Sequence, residues 1–213
     1  MLSSQLIVNS PVSSNCYVLY DKANGKDCII VDPGSKEGTK VLEFVIQNDL
    51  YPRYIILTHE HFDHCWGVNE LVKKYQVPII CSALCAEAIK SDKRNCSVFY
   101  DNKERFTINS ETISVESLNF ELQFGNFTFR FYSTPGHTEA SICFTCQQFL
   151  FSGDTLIKDV RTVTKLPTGS ESKLRESMNL LTKLKGEGKI VNPGHGEVFY
   201  LDKYDLNKMI INL

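Results

Sequence analysis

No stretch of the chain approaches the ~18 uninterrupted apolar residues that a membrane span requires. The opening Met1-Leu-Ser-Ser-Gln-Leu-Ile-Val-Asn-Ser lacks both a basic segment and a sustained apolar one, so neither an anchor nor a secretory signal is expected. An excess of charge of one sign is also missing. The 23 Lys and Arg stand scattered among 25 Asp and Glu, for a net charge of −2, which argues against nucleic acid or a membrane surface as partner. Fixed-period repeats and linkers are absent. Histidine is scarce, at five residues, which makes the placement of each one informative. Cysteine is not scarce, at eight residues. Without an export signal, reduced thiols and a cytoplasmic location are expected. Cys143-Phe-Thr-Cys146 has redox or zinc spacing, but on a strand that spacing turns the two sulfurs to opposite faces. Cys81 and Cys85 straddle a strand end and a helix and lack a second pair to complete a tetrahedral site.

What is present suits a folded domain. The 213 residues are 42% hydrophobic and 11% aromatic, enough for one compact domain spanning 1–213. Apolar patterning predicts strands over 15–20 and 27–31, joined by a turn at Asn24-Gly25, and further strands over 54–57 and 78–81. Helices are expected over 37–48, with Val41, Phe44, Val45 and Ile46 on its apolar side, from about His64 to Tyr75, and over 83–90. That alternation is the signature of α/β architecture. Residues 91–110 read as a polar loop. Segments 112–115, 118–124 and 127–132 alternate apolar with polar and predict antiparallel strands with one wet face. Strands over 141–146, 149–151 and 189–191 follow. A helix capped by Ser170 should bury Leu174, Met178, Leu181 and Leu184 and close at Gly186, and a final helix is expected over 202–211. Two sheets packed together with helices outside would bury all these faces.

The chemistry lies where the strands end. Strand 54–57 runs into Thr58-His59-Glu60-His61-Phe62-Asp63-His64. Strand 127–132 leads to Pro135-Gly136-His137, strand 149–151 to Gly153-Asp154, and strand 189–191 to Pro193-Gly194-His195. Ligands gather at such strand ends in layered α/β folds, and the neighbouring Gly and Pro permit the sharp turns that aim side chains back to one point. Five imidazoles and two carboxylates suit zinc, iron or manganese better than calcium or magnesium. One tetrahedral ion would use four of them at most, so seven imply two ions sharing a bridging carboxylate.

His59-Glu-His-Phe-Asp-His64, Pro-Gly-His137, Gly-Asp154 and Pro-Gly-His195, with Val31-Asp32-Pro33-Gly34 before them, resemble the five motifs of the metallo-β-lactamase superfamily. The resemblance covers nearly the whole chain and implies an α/β (α+β) fold, a four-layer αββα sandwich. It implies that His59, His61 and His137 hold one metal, that Asp63, His64 and His195 hold the other, and that Asp154 bridges them. Asp32 would steady a ligand from behind, a role that competes with that of a simple turn-forming Asp before Pro.

Thr-His-x-His-x-Asp-His, Gly-His-Thr and Ser-Gly-Asp-Thr-Leu156 further resemble the glyoxalase II group, the hydroxyacylglutathione hydrolases. That implies a metal-dependent thioester hydrolase acting on an acylthiol, with two divalent ions, zinc foremost and iron or manganese as alternatives, and with Asp63 as water orienter or proton acceptor. Two-domain members carry a helical extension with glutathione contacts. Eighteen residues (196–213) follow His195 here, so the compact single-domain type is expected. Arg161 and Lys165, in the segment after Asp154, are candidates for an anionic substrate tail. The alternatives are a persulfide dioxygenase-like iron oxidoreductase using His59, His137 and Asp154, or a lactonase or other ester hydrolase.

Overall fold

The computed structural model describes residues 1–21, 23, 25–101, 103–115 and 120–206. The chain forms two compact units, Met1–Ser114 and Val115–Leu213.

The first unit holds a six-stranded sheet of β1 (Ser3–Val8), β2 (Asn15–Tyr20), β3 (Asp27–Val31), β4 (Tyr51–Ile56), β5 (Ile79–Cys81) and β6 (Thr112–Ser114), adjacent in that order. β1 to β3 pair antiparallel, and β3 to β6 pair parallel. Ile29, Ile30, Ile55, Ile56, Ile79 and Ile80 are all fully buried, the continuous apolar pattern of parallel strands covered on both faces. α1 (Thr39–Gln47) links β3 to β4; α2 (Phe62–Cys65) and α3 (Val68–Tyr75) link β4 to β5. α4 (Ala83–Ala88) and α5 (Ser97–Tyr100) lie before β6.

Several features differ from expectation. β6 pairs parallel with β5, through Ile79↔Thr112 and Cys81↔Ser114, and is not part of an antiparallel set with the strands that follow. α5 interrupts the segment expected to be loop. Ile46 is 58% exposed on α1, whose buried side is Val41 and Val45. β1 was not predicted at all.

The second unit holds β7 (Glu121–Phe124), β8 (Phe127–Ser133), β9 (Ile142–Cys146), β10 (Phe149–Gly153), β11 (Ile190–Pro193) and the two-residue β12 (Phe199–Tyr200). Their order is β12-β11-β10-β9-β8-β7, and only β10 and β11 are parallel among the described pairs. α6 (Glu171–Thr182) starts where the Ser170 side chain accepts from the Lys173 backbone N–H, the expected cap. Its Leu174, Met178 and Leu181 pack in one cluster with Cys143, Leu150 and Val191. On the opposite sheet face the rings of Phe131, Phe144 and Phe151 follow one another, with centroids 5.3 and 4.6 Å apart. Cys143 therefore faces α6 while Cys146 faces the aromatic side, and both are buried free thiols, as the spacing predicted.

Of the final helix expected over 202–211, Leu201–Lys203 forms one 3-10 turn and residues 207–213 lie outside the described residues. Asn24 of the predicted turn and the first two residues of the segment 118–124 lie outside them too. No helix among the described residues is long and apolar enough to cross a membrane.

Candidate metal centre

Parallel pairing in the first unit builds one half of the constellation. β3 and β4 run side by side with Val31 opposite Ile56, so Asp32 leaves one strand next to Leu57-Thr58 leaving the other. The Asp32 N–H donates to the Ile56 carbonyl at 3.0 Å. Asp32 is 2% exposed and adopts a left-handed φ of 49°, which aims its carboxylate back across the strand ends. Oδ1 accepts from the Thr58 N–H at 2.8 Å. Oδ2 accepts from the Thr58 hydroxyl at 2.6 Å and stands 3.1 Å from His64 Nδ1.

These contacts fix two histidines. The single Thr58 hydroxyl proton goes to the carboxylate, so its oxygen receives the proton of His59 Nδ1, 3.1 Å away. His64 donates its Nδ1–H to Asp32 directly. In each neutral ring Nε2 is then the lone-pair nitrogen. The two rings stand 4.2 Å apart between centroids, and His61 lies 4.8 Å from His59. His59, His61 and His64 are 1%, 6% and 0% exposed. Asp63 Oδ2 lies 3.6 Å from His64 Nε2, an acceptor facing an acceptor.

The turn carrying them is held from behind. Ser14 donates its hydroxyl to the Asp63 carbonyl, and Asn9 Nδ2 donates to Ser14 Oγ at 2.8 Å and to the Asp32 carbonyl at 3.2 Å. Ser35 donates to Asn9 Oδ1 at 2.9 Å. Gly34 packs so closely that a Cβ there would come within 1.5 Å of the Asp63 carbonyl oxygen.

Parallel pairing recurs in the second unit. Gly153 of β10 stands opposite Pro193 of β11, and the Gly194 N–H donates to the Gly153 carbonyl at 2.8 Å. Asp154 and His195 thus leave neighbouring strands at the same end. His137 comes from the turn between β8 and β9, where the Ser170 N–H donates to the Gly136 carbonyl and Ser177 Oγ to the Pro135 carbonyl. Gly136 has φ +150°, and a Cβ there would lie 2.4 Å from Leu174 Cα. His137 Nε2 and His195 Nε2 each lie 3.6 Å from one oxygen, Asp154 Oδ2.

His137 Nδ1 sits 2.8 Å from the Val163 carbonyl. A carbonyl can only accept, so Nδ1 carries the proton and Nε2 is again the lone-pair nitrogen. An imidazole lone pair turned to a carboxylate oxygen is repulsive unless positive charge lies between them. Both units repeat this arrangement, and imidazole with carboxylate is the donor set of zinc, iron and manganese. The residues therefore fit a divalent metal.

The other predicted residues take simpler places. Arg161 Nη2 donates to Glu171 Oε1 at 3.0 Å, both side chains exposed, and Lys165 is exposed. Thr58 and the Val163 carbonyl were not singled out as partners of the histidines. Thr58 precedes the first histidine, where its proximity was a visible signal, whereas a backbone carbonyl 26 residues from His137 leaves none.

The sequence model of the metallo-beta-lactamase superfamily matches residues 9–195. An uncharacterized protein of Mycobacterium leprae (strain TN) is 28% identical over 194 residues, covering 85% of this chain and 86% of that one. Among solved structures, the BLEG-1 B3 metallo-beta-lactamase aligns with TM-score 0.83 at 27% identity, over 94% of each chain. TTHA1623 in a di-iron-bound form aligns with TM-score 0.74 at 25% identity, over 92% of this chain and 94% of that one. ETHE1 from Myxococcus xanthus, at 22% identity and TM-score 0.73 over 98% of this chain and 88% of that one, shows likeness of fold. With its mixed α/β make-up, two sheets and few helices, and with the family match running from Asn9 to His195, the chain belongs to the metallo-β-lactamase superfamily, whose members bind divalent metals through histidine and aspartate.

Proposed function

We propose that the protein is a metal-dependent thioester hydrolase that cleaves an acylthiol into a carboxylic acid and a thiol. In this reading His59, His61 and His137 hold one divalent ion, Asp63, His64 and His195 hold a second, and Asp154 bridges them. The observation that carries the reading is the double approach of His137 and His195 to the single oxygen Oδ2 of Asp154, which suits a carboxylate shared between two ions.

Two such ions, when bound, would acidify a water molecule and polarise the scissile carbonyl. The protein supplies the rest. Asp32 sets the tautomers of His64 directly and of His59 through Thr58, which makes both Nε2 atoms better donors and fixes the ring planes. The Val163 carbonyl does the same for His137. Asp63, held by Ser14 at its carbonyl and 13% exposed at its side chain, orients the water and takes up its proton. A departing thiolate has a pKa near that of cysteine, ~8.5, so no strong general acid is required.

The likeness to a protein solved in a di-iron-bound form keeps iron beside zinc and manganese as the ion. It also keeps a second reading, an iron oxidoreductase acting on a persulfide. One assay separates them. Protein purified without chelator is offered a panel of acylthiols and, separately, a persulfide, while thiol release and oxygen uptake are followed. Thiol release without oxygen uptake is expected, and oxygen consumption with a persulfide and inert acylthiols would overturn the hydrolase.

A further inference from the structure

One stretch of chain, 163–170, grips His137 from several sides. The Val163 carbonyl accepts from the ring Nδ1–H at 2.8 Å. Before the histidine, the Gly136 carbonyl accepts from the Ser170 N–H at 2.8 Å. After it, the Glu139 N–H donates to Thr168 Oγ1 at 3.2 Å. The stretch is anchored in turn beside Asp154, where the buried Thr162 donates its hydroxyl to the Thr155 carbonyl at 3.1 Å. Ring direction, preceding backbone and following backbone are thereby referred to one frame. The same frame borders the carboxylate whose Oδ2 lies 3.6 Å from His137 Nε2.

To reach all these points, so short a stretch must reverse on itself. It does so at Leu166-Pro167-Thr168-Gly169, where the Gly169 N–H donates to the Leu166 carbonyl at 3.0 Å. Proline in second place and a left-handed residue in third is the pattern of a type II turn. That third place suits Gly or Asn, yet it holds Thr168, at φ 69°. A β-branched residue in this region is strained and persists only where its surroundings over-determine it. Thr168 is exposed, so burial does not repay the strain. Glycine would avoid the strain but would lack the hydroxyl, and the hydroxyl is the group that meets the Glu139 N–H.

We infer that Thr168 is a positioning residue for His137, its hydroxyl holding the backbone that follows the histidine so that Nε2 stays aimed at a divalent ion. The inference rests on the reading of His137 as a metal ligand and is independent of substrate and reaction. A ring whose backbone drifts is a poorer ligand, so the grip of Thr168 acts on metal affinity rather than on the fold.

The test titrates zinc into chelator-stripped wild type and variants against a competing chelator of known affinity. His137→Ala identifies the binding step that His137 serves. Thr168→Gly relieves the strain and removes the hydroxyl, and it should weaken that same step by about tenfold. Thr168→Ser keeps the hydroxyl and should bind zinc as wild type does. The metal-free melting midpoint of Thr168→Gly should stay within about 3 °C of wild type, because relief of strain offsets the lost hydrogen bond. A loss in Thr168→Ser equal to that in Thr168→Gly, or a weakened step accompanied by a larger drop in the melting midpoint, would overturn the inference. If His137→Ala weakens no step, the ligand reading falls and the inference falls with it. If His137→Ala weakens a step and Thr168→Gly does not, the inference falls alone.

Discussion

Asp32 governs two imidazoles with one carboxylate, and its replacement separates a positioning role from that of a turn former. Asp32→Asn keeps the turn but presents an amide N–H towards His64 Nδ1 or the Thr58 hydroxyl. Metal affinity should fall by about 10- to 100-fold, read by chelator competition, and a variant with wild-type affinity would return Asp32 to the role of a turn residue. The buried thiols make a different prediction. Burial pushes the Cys143 thiol from its ordinary 9.0 up to about 11. Between those values the folded chain keeps a proton that the unfolded chain has lost, so stability declines as pH rises from about 9 to 11 and is untouched below. Two pH units amount to about 3 kcal/mol for this one group. Cys143→Ala should make that part of the stability-versus-pH curve shallower by one thiol's share in denaturant titrations, with Cys28, Cys96 and Cys146, also pushed up by burial, keeping theirs.

At the scale of elements, the two parallel pairs position the candidate ligands, since each sets two strand ends side by side. The long apolar runs of β3, β4 and β10, and the 3.6-residue stripe of α6, were legible in the sequence because burial imposes a period. β1 was missed because its partly exposed residues carry no strict alternation. β12 and α5, with two and four residues, are too short to show any period. β6 was assigned to the wrong neighbours because alternation does not tell parallel from antiparallel pairing. Gly34 tests how closely the elements approach at the ligand turn. A Cβ there meets the Asp63 carbonyl oxygen, so Gly34→Ala should cost about 3 kcal/mol or more and reduce metal content. Ser170→Ala, which removes only the α6 cap, should cost about 1 kcal/mol and leave metal content unchanged, with thermal melting and metal analysis as the readouts.

For the whole molecule, the candidate ligands were legible because all five histidines and both acids follow strand ends, with Gly beside His137, Asp154 and His195. The frame that aims them was less so. Asn9, Ser14 and Ser35 act through hydrogen bonds to each other and to backbone, and small polar residues in loops look alike in a sequence whatever they hold. If both units contribute ligands to the same ions, metal should stabilise the entire chain. At a free-ion concentration about 100 times the dissociation constant the gain is about 3 kcal/mol, so chelation should lower the melting midpoint by about 5–10 °C. The most direct measurement is the metal-to-protein ratio of chelator-free, catalytically active protein, for the wild type and for His195→Ala. We predict about two ions per chain, falling to about one in the variant; full activity with a single ion, or a ratio that His195→Ala leaves unchanged, would contradict the shared binuclear centre.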